Sequence, residues 1–260
     1  MATAYTTTRR FISQLIRKSP LDRIRLATKP YRVRLKTRTA FPGNMLPPLS
    51  LHQIGKATGT DKHDLQHSFN DLSYLDVYAK YLDVLRDQPI KLLELGVKDG
   101  ASLSMWDRYF LRGQIFGIDI DPRCAQFERG RIQVAIGSQA DREFLKTAFG
   151  DVTFDVILDD ASHVNTLTKT SLESLFARLA PGGLYIIEDL GCSYVKLESV
   201  FQVRETWPGM KYNASDMPLD NDRSLMEELF NALIHDLDRR TGAVRFVHFW
   251  SQVVVIGKTV

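Results

Sequence analysis

Apolar runs and helix-spaced apolar positions alternate through most of this chain. Tyr74, Val77, Tyr78, Tyr81, Leu82 and Leu85 recur at helical spacing and predict an amphipathic helix that Pro89 ends. The short run closing on Glu94 reads as a first strand. Leu103, Met105, Trp106, Tyr109 and Phe110 predict a helix with a buried face. Residues 114–121, QIFGIDID, read as a second strand and residues 131–136 as a third, with a helix after Asp141. Residues 154–160, FDVILDD, read as a fourth strand, residues 166–180 as a helix, and Pro181, Gly182 and Gly183 as a turn. Residues 184–189, LYIIED, make a fifth strand. Leu225, Leu229, Leu233 and Leu237 lie along one side of a helix at 222–239. Residues 244–258 hold two apolar strands meeting at Trp250, Ser251 and Gln252. That turn is too short for a crossover helix, so the pair is an antiparallel hairpin. The order predicts an α/β fold: a doubly wound, mostly parallel seven-stranded sheet with a C-terminal antiparallel hairpin.

Three stretches break the alternation. Residues 52–70, HQIGKATGTDKHDLQHSFN, are polar and read as a loop. Residues 191–219 are long and irregular, with Tyr194, Trp207, Pro208, Met210, Tyr212 and Pro218. An insertion there reads as a substrate lid, with Tyr194 the candidate contact to the acceptor. Residues 1–50 form an extension separate from a domain at 51–260. Within it Phe11, Ile12, Leu15 and Ile16 mark a short amphipathic helix over residues 8–18, and five prolines interrupt the remainder of the arm.

Charge sets this extension apart. It holds 11 Lys or Arg against one acid, Asp22, a net +10; with the 260-residue chain at +3, the remainder carries −7. Three readings of the arm stay open. It is a surface extension, an organelle transit peptide rich in Arg, Ser and Thr, or an attachment to an anionic membrane or nucleic acid through residues 1–40. No apolar run reaches the length of a membrane span. Cys124 and Cys192 show neither metal spacing nor a disulfide framework, which fits a reducing cytosol.

The candidate chemistry lies at the strand ends. Glu94 is followed by Gly96 and Gly100 and then by a helix. Glycines let the backbone bend and approach a ligand, and a helix start offers unpaired N–H groups. Asp119 ends the second strand about 20 residues beyond the glycine turn, where a carboxylate bonds ribose hydroxyls. The third turn lies near an adenine ring in this class of sheet, which makes Gln139 a candidate for the base edge. Asp121 and Asp141 read equally well as helix caps. Asp159 and Asp160 end the fourth strand and Glu188 and Asp189 the fifth, with His163 close behind the first pair. Crowded carboxylates repel and call for a cation between them. Hard oxygen ligands favour Mg²⁺ or Ca²⁺, with Mn²⁺ also suited. The Gly96–Gly100 spacing is not that of a dinucleotide dehydrogenase, and neither is the terminal hairpin.

A parallel sheet finished by such a hairpin is the plan of a Rossmann-like class I methyltransferase. The chain resembles the S-adenosylmethionine-dependent O-methyltransferases of the macrocin and mycinamicin sugar-methyltransferase group. The matching stretches are GTDKH at 59–63, ELGVKDGASLSMW at 94–106, GIDIDP at 117–122, SQADREFL at 138–145, FDVILDDASH at 154–163, PGGLYIIEDL at 181–190 and the hairpin. The combination of DDASH with IIEDL is the specific part. The resemblance implies that Glu94, Gly96, Gly100, Ser102, Asp119, Gln139 and Asp159 surround S-adenosylmethionine. It implies that Asp160, Glu188 and Asp189 hold Mg²⁺ (or Mn²⁺), and that His163 is the general base. The implied acceptor is a sugar hydroxyl on a natural-product glycoside of antibiotic pathways, with no nucleic acid expected and a homo-oligomer in keeping with the family. The chain departs from the family pattern at Ala161, where Gly is usual, and after residue 190. The same fold acting on a phenol, a lipid-linked glycan or RNA, or serving as a non-catalytic module, is the competing expectation.

Overall fold

The structure, a computed structural model, describes residues 48–63, 72–194 and 221–260. The arm at 1–47, the stretch at 64–71 and most of the proposed lid, 195–220, lie outside the described residues. Seven strands form one sheet in the order β3-β2-β1-β4-β5-β7-β6. They are β1 (Lys91–Leu95), β2 (Gln114–Asp119), β3 (Ile132–Ile136), β4 (Phe154–Asp159), β5 (Leu179–Ile187), β6 (Val244–Phe249) and β7 (Val254–Lys258). Pairing is parallel from β3 through β5 and antiparallel from β5 to β7 and β6. The doubly wound sheet with its terminal hairpin is as the sequence predicts.

Both faces of the sheet are covered, so the strands read as nearly unbroken apolar runs. Alternate residues face opposite sides. Leu92, Val156, Leu158, Ile186 and Val255 pack with α1 (Leu51–Thr58), α2 (Tyr74–Leu82) and α3 (Ala101–Tyr109). Leu93, Ile157, Tyr185, Ile187 and Ile256 pack with α4 (Arg142–Thr147), α5 (Asn165–Leu175) and α6 (Arg223–Arg239). The helices start at caps: Ser73 with Asp76 at α2, Asp141 at α4 and Asp222 at α6.

Three expectations change. The helix expected over residues 166–180 spans Asn165–Leu175, and a 3-10 turn, Phe176–Arg178, leads straight into β5. The predicted loop at 52–70 holds α1 and a short 3-10 turn, Asp61–His63. A capping box of Ser50 and Gln53 starts α1, and Gly59 in the left-handed region ends it. The turn expected at Pro181, Gly182 and Gly183 lies inside β5, where the register against β4 slips between Phe154 and Val156. Gly182, at φ 76°, absorbs the irregularity. Among the described residues no helix is long and apolar enough to cross a membrane.

Strand order reverses beside β1, whose neighbours are β2 and β4. In an open α/β sheet the crevice outside the carboxyl ends at such a point is the binding place.

Candidate active site

A cavity of about 630 Å³ opens at that crevice. Its walls include Gly96, Ser102, Asp119, Gln139, Asp160, His163, Glu188 and Asp189, so eight of the sequence-predicted residues converge on it. The size suits a nucleotide-like ligand.

The glycine turn after β1 forms one wall. Gly96 has φ 93°, and its N–H donates to Ile118 O at 2.8 Å. A Cβ at this position would collide with the carbonyl oxygen of Asp160. Asp119 braces the turn: Oδ2 accepts from the N–H groups of Val97 and Lys98 at 2.7 and 3.0 Å, and Oδ1 from Asp121 N–H at 2.9 Å. Each carboxylate oxygen has two lone-pair directions, so Asp119 can accept more than these backbone bonds, and the buried Cys124 thiol lies beside it.

Three loops at the strand ends carry left-handed residues without being glycine. Lys98, His163 and Asp189 have φ of 53°, 54° and 52°, and all three line the cavity. Such backbone costs on the order of 1–3 kcal/mol and gathers at functional sites. At the His163 loop, Asn221 Nδ2 donates to His163 O at 3.1 Å and to Cys192 O at 2.8 Å.

Asp160, His163 and Asp189 each offer a ligand atom, all within 4.8 Å of one another, the one such group among the described residues. His163 Nε2 is 3.7 Å from Asp160 Oδ1 and 3.3 Å from Asp189 Oδ2. The two carboxylates suit Mg²⁺ or Mn²⁺, and the imidazole stands beside them. Glu188, predicted with this set, turns another way. Its oxygens take two hydrogen bonds from Lys62 Nζ, at 2.9 and 2.8 Å, and one from the Tyr78 hydroxyl. Part of the cation that the crowded carboxylates require is therefore supplied by the chain itself.

Four predicted contacts lie elsewhere. Glu94 is wholly buried behind the wall, where Oε2 accepts from Ser102 Oγ at 2.7 Å and Oε1 accepts no hydrogen bond. Burial pushes its carboxyl up to about 7. Gly100 makes room for the Phe127 ring rather than for a ligand. Asp159 is buried away from the cavity, where Oδ1 accepts from Gln139 Nε2 at 2.7 Å; burial pushes its carboxyl, too, up to about 7. Gln139 lines the cavity, but its amide is already engaged there, with Oε1 accepting from Ser162 Oγ at 2.6 Å. Tyr194 is 68% exposed and stacks on the Arg223 guanidinium, 4.4 Å from the ring centre.

Sequence reasoning missed Lys62, Tyr74 and Tyr78. Lys62 lines the cavity and donates to both Asp160 and Glu188. Burial lowers its proton affinity, but Asp160, Glu188 and Glu94 outweigh that and hold the ammonium well above the usual lysine range. The Tyr74 hydroxyl donates to Asp189. The helical stripe of Tyr74 and Tyr78 reads as core, which it also is. The signal for Lys62 was its place in the GTDKH stretch.

No family model matches the chain. It is 34% identical over 167 residues to the mycinamicin VI 2''-O-methyltransferase of Micromonospora griseorubida, covering 61% of this chain and 39% of that protein. It is 40% identical over 141 residues to the L-olivosyl-oleandolide 3-O-methyltransferase of Streptomyces antibioticus, covering 51% and 33%. A solved structure of the MycE methyltransferase with Mg, SAH and mycinamycin VI superposes with a TM-score of 0.60 at 30% identity, covering 81% of this chain and 55% of that one. The chain thus spans about two fifths of the curated relative it matches first and about half of the MycE chain. The chain has the fold of a class I methyltransferase, and over that fold it is similar to the sugar O-methyltransferases of macrolide and tetracenomycin pathways.

Proposed function

We propose that residues 51–260 form an S-adenosylmethionine-dependent O-methyltransferase domain acting on a sugar hydroxyl of a small glycoside, with a divalent cation at the site. The observation that carries this is the meeting of Asp160, His163 and Asp189 on one wall of the cavity that the Gly96 turn and Asp119 also line. The likeness to MycE, solved with Mg and SAH, supports both cofactors. The net −7 outside the arm disfavours a polyanionic acceptor such as RNA.

The residues present fit these groups. Asp119 would accept a ribose hydroxyl, and Gly96 would let the cofactor pass close to the backbone. Gln139, held by Asp159 and Ser162, forms the wall at the base. Asp160 and Asp189 would hold the cation, with Glu188 behind them. A divalent cation bound there supplies Lewis acidity toward the acceptor hydroxyl. His163 Nε2 removes the hydroxyl proton, and the two acids beside it stabilise the imidazolium that results. Holding an acceptor oxygen in line with the donor methyl would make much of the acceleration positional.

The test is calorimetric titration with S-adenosylmethionine in Mg²⁺ and again with a chelator, followed by turnover on a panel of glycosides. Cofactor binding under both conditions, with methylation only in Mg²⁺, is the expected result. Absence of cofactor binding under both would overturn the proposal.

A further inference from the structure

Lys62 belongs to the 3-10 turn Asp61–His63 after α1, yet its side chain is only 3% exposed. Burying an ammonium costs several kcal/mol unless carboxylates meet it. Three do. Nζ donates to both oxygens of Glu188 and to Asp160 Oδ2, and it stands 3.7 Å from the buried Glu94 Oε1, which accepts no hydrogen bond. Asp160 is therefore claimed from two sides: Oδ2 faces Lys62, and Oδ1 faces His163 within the group suited to a cation.

We infer that Lys62 is an internal counter-ion that stands in for a divalent cation at the Asp160 and Glu188 carboxylates and competes with that cation for Asp160. This rests on the cation site proposed above. An ion held by Asp160 and Asp189 would repel the ammonium across a shared carboxylate. Lys62 then shifts toward Glu188 and toward the open Oε1 of Glu94. Lys62 and Ser102 both line the cofactor cavity and both lie against Glu94. Cation binding is thereby coupled to the cofactor wall, and Lys62 acts as a positioning residue.

The test is Mn²⁺ binding, followed by electron paramagnetic resonance, in the wild type, in Lys62→Gln and in Lys62→Gln/Glu94→Gln. The double variant removes one charge of each sign and so carries the test if the single variant fails to fold. Expected is Mn²⁺ binding at least about tenfold tighter in Lys62→Gln, since one positive charge beside the ion is gone, and a smaller gain in the double variant, because Glu94 is farther from the ion than the lysine it accompanies. A merely structural lysine would give the opposite sign, because its loss would loosen the site. Unchanged or weaker Mn²⁺ binding in folded variants, with wild-type binding abolished by Asp160→Asn, overturns this inference alone. Failure of all three proteins to bind Mn²⁺ overturns it together with the proposed cation site. Binding only in the variants supports it, as full occupation of the site by Lys62.

Discussion

Gly96 lies against the backbone carbonyl of Asp160, so closely that a methyl group on its Cα would strike that oxygen. The contact joins the turn after β1 to the turn after β4, one beside the cofactor wall and the other beside the candidate cation group. Gly96→Ala also places a side chain at φ 93°. The backbone strain alone costs on the order of 1–3 kcal/mol, and the collision adds to it. A lower denaturation midpoint and loss of S-adenosylmethionine binding are expected. A midpoint equal to that of the wild type would contradict the packing.

In the proposed reaction Asp160 and His163 have separate roles. His163→Ala is expected to lower kcat by about 10²–10⁴, the usual worth of a positioned general base, with cofactor affinity kept. Asp160→Asn is expected to remove the response of turnover to added Mg²⁺. Full turnover in either variant, assayed on an accepted glycoside, would refute the assigned role.

Gln139 acts as a clip between Asp159 and Ser162. Gln139→Leu keeps the bulk but removes the donor to Asp159 Oδ1 and the acceptor for Ser162 Oγ. Buried polar groups that lose a partner cost about 1–3 kcal/mol. Chemical denaturation should show a loss of that order. A change of only a few tenths would mean that the two groups find other partners.

Glu94 sets a pH dependence of stability. Its carboxyl is pushed by burial from 4.5 up to about 7, so the folded state holds the proton more tightly than the unfolded chain. The stabilising contribution is full below pH 4.5 and is lost as pH rises through 7. Glu94→Gln lacks this titration. Relative to that variant, the wild type should lose on the order of 3 kcal/mol of unfolding free energy across the window. A constant difference between the two proteins over the same pH range would count against it.

Much of this arrangement is legible in one dimension. The strands stand out because both sheet faces are buried, which leaves apolar runs where a one-sided sheet would alternate. Asp160 and Asp189 stand out because paired acids at apolar strand ends have few other uses. What stays hidden depends on distance along the chain or on backbone geometry. Lys62 meets Asp160 98 residues away and Glu188 126 residues away. The left-handed conformations of Lys98, His163 and Asp189 are imposed by their surroundings, since none is a glycine. Glu94 lies between Leu93 and Leu95 in a strand covered on both faces, so a residue that reads as a ligand contact is enclosed by core. The α1 helix shows only its capping box and three buried positions, Leu51, Ile54 and Gly55, which a polar stretch conceals.

The place of β7 between β5 and β6 has a consequence for synthesis on the ribosome. Strands β1 to β4, which form one side of the crevice, have left the exit tunnel well before residues 254–258 are translated. The fifth strand, which leads into Glu188 and Asp189, gains its second neighbour only when those residues emerge. The two halves of the site are therefore completed at different times, and the nascent chain passes through a stage with an open sheet edge next to Glu188 and Asp189. A chaperone that shields exposed strand edges would act at that stage.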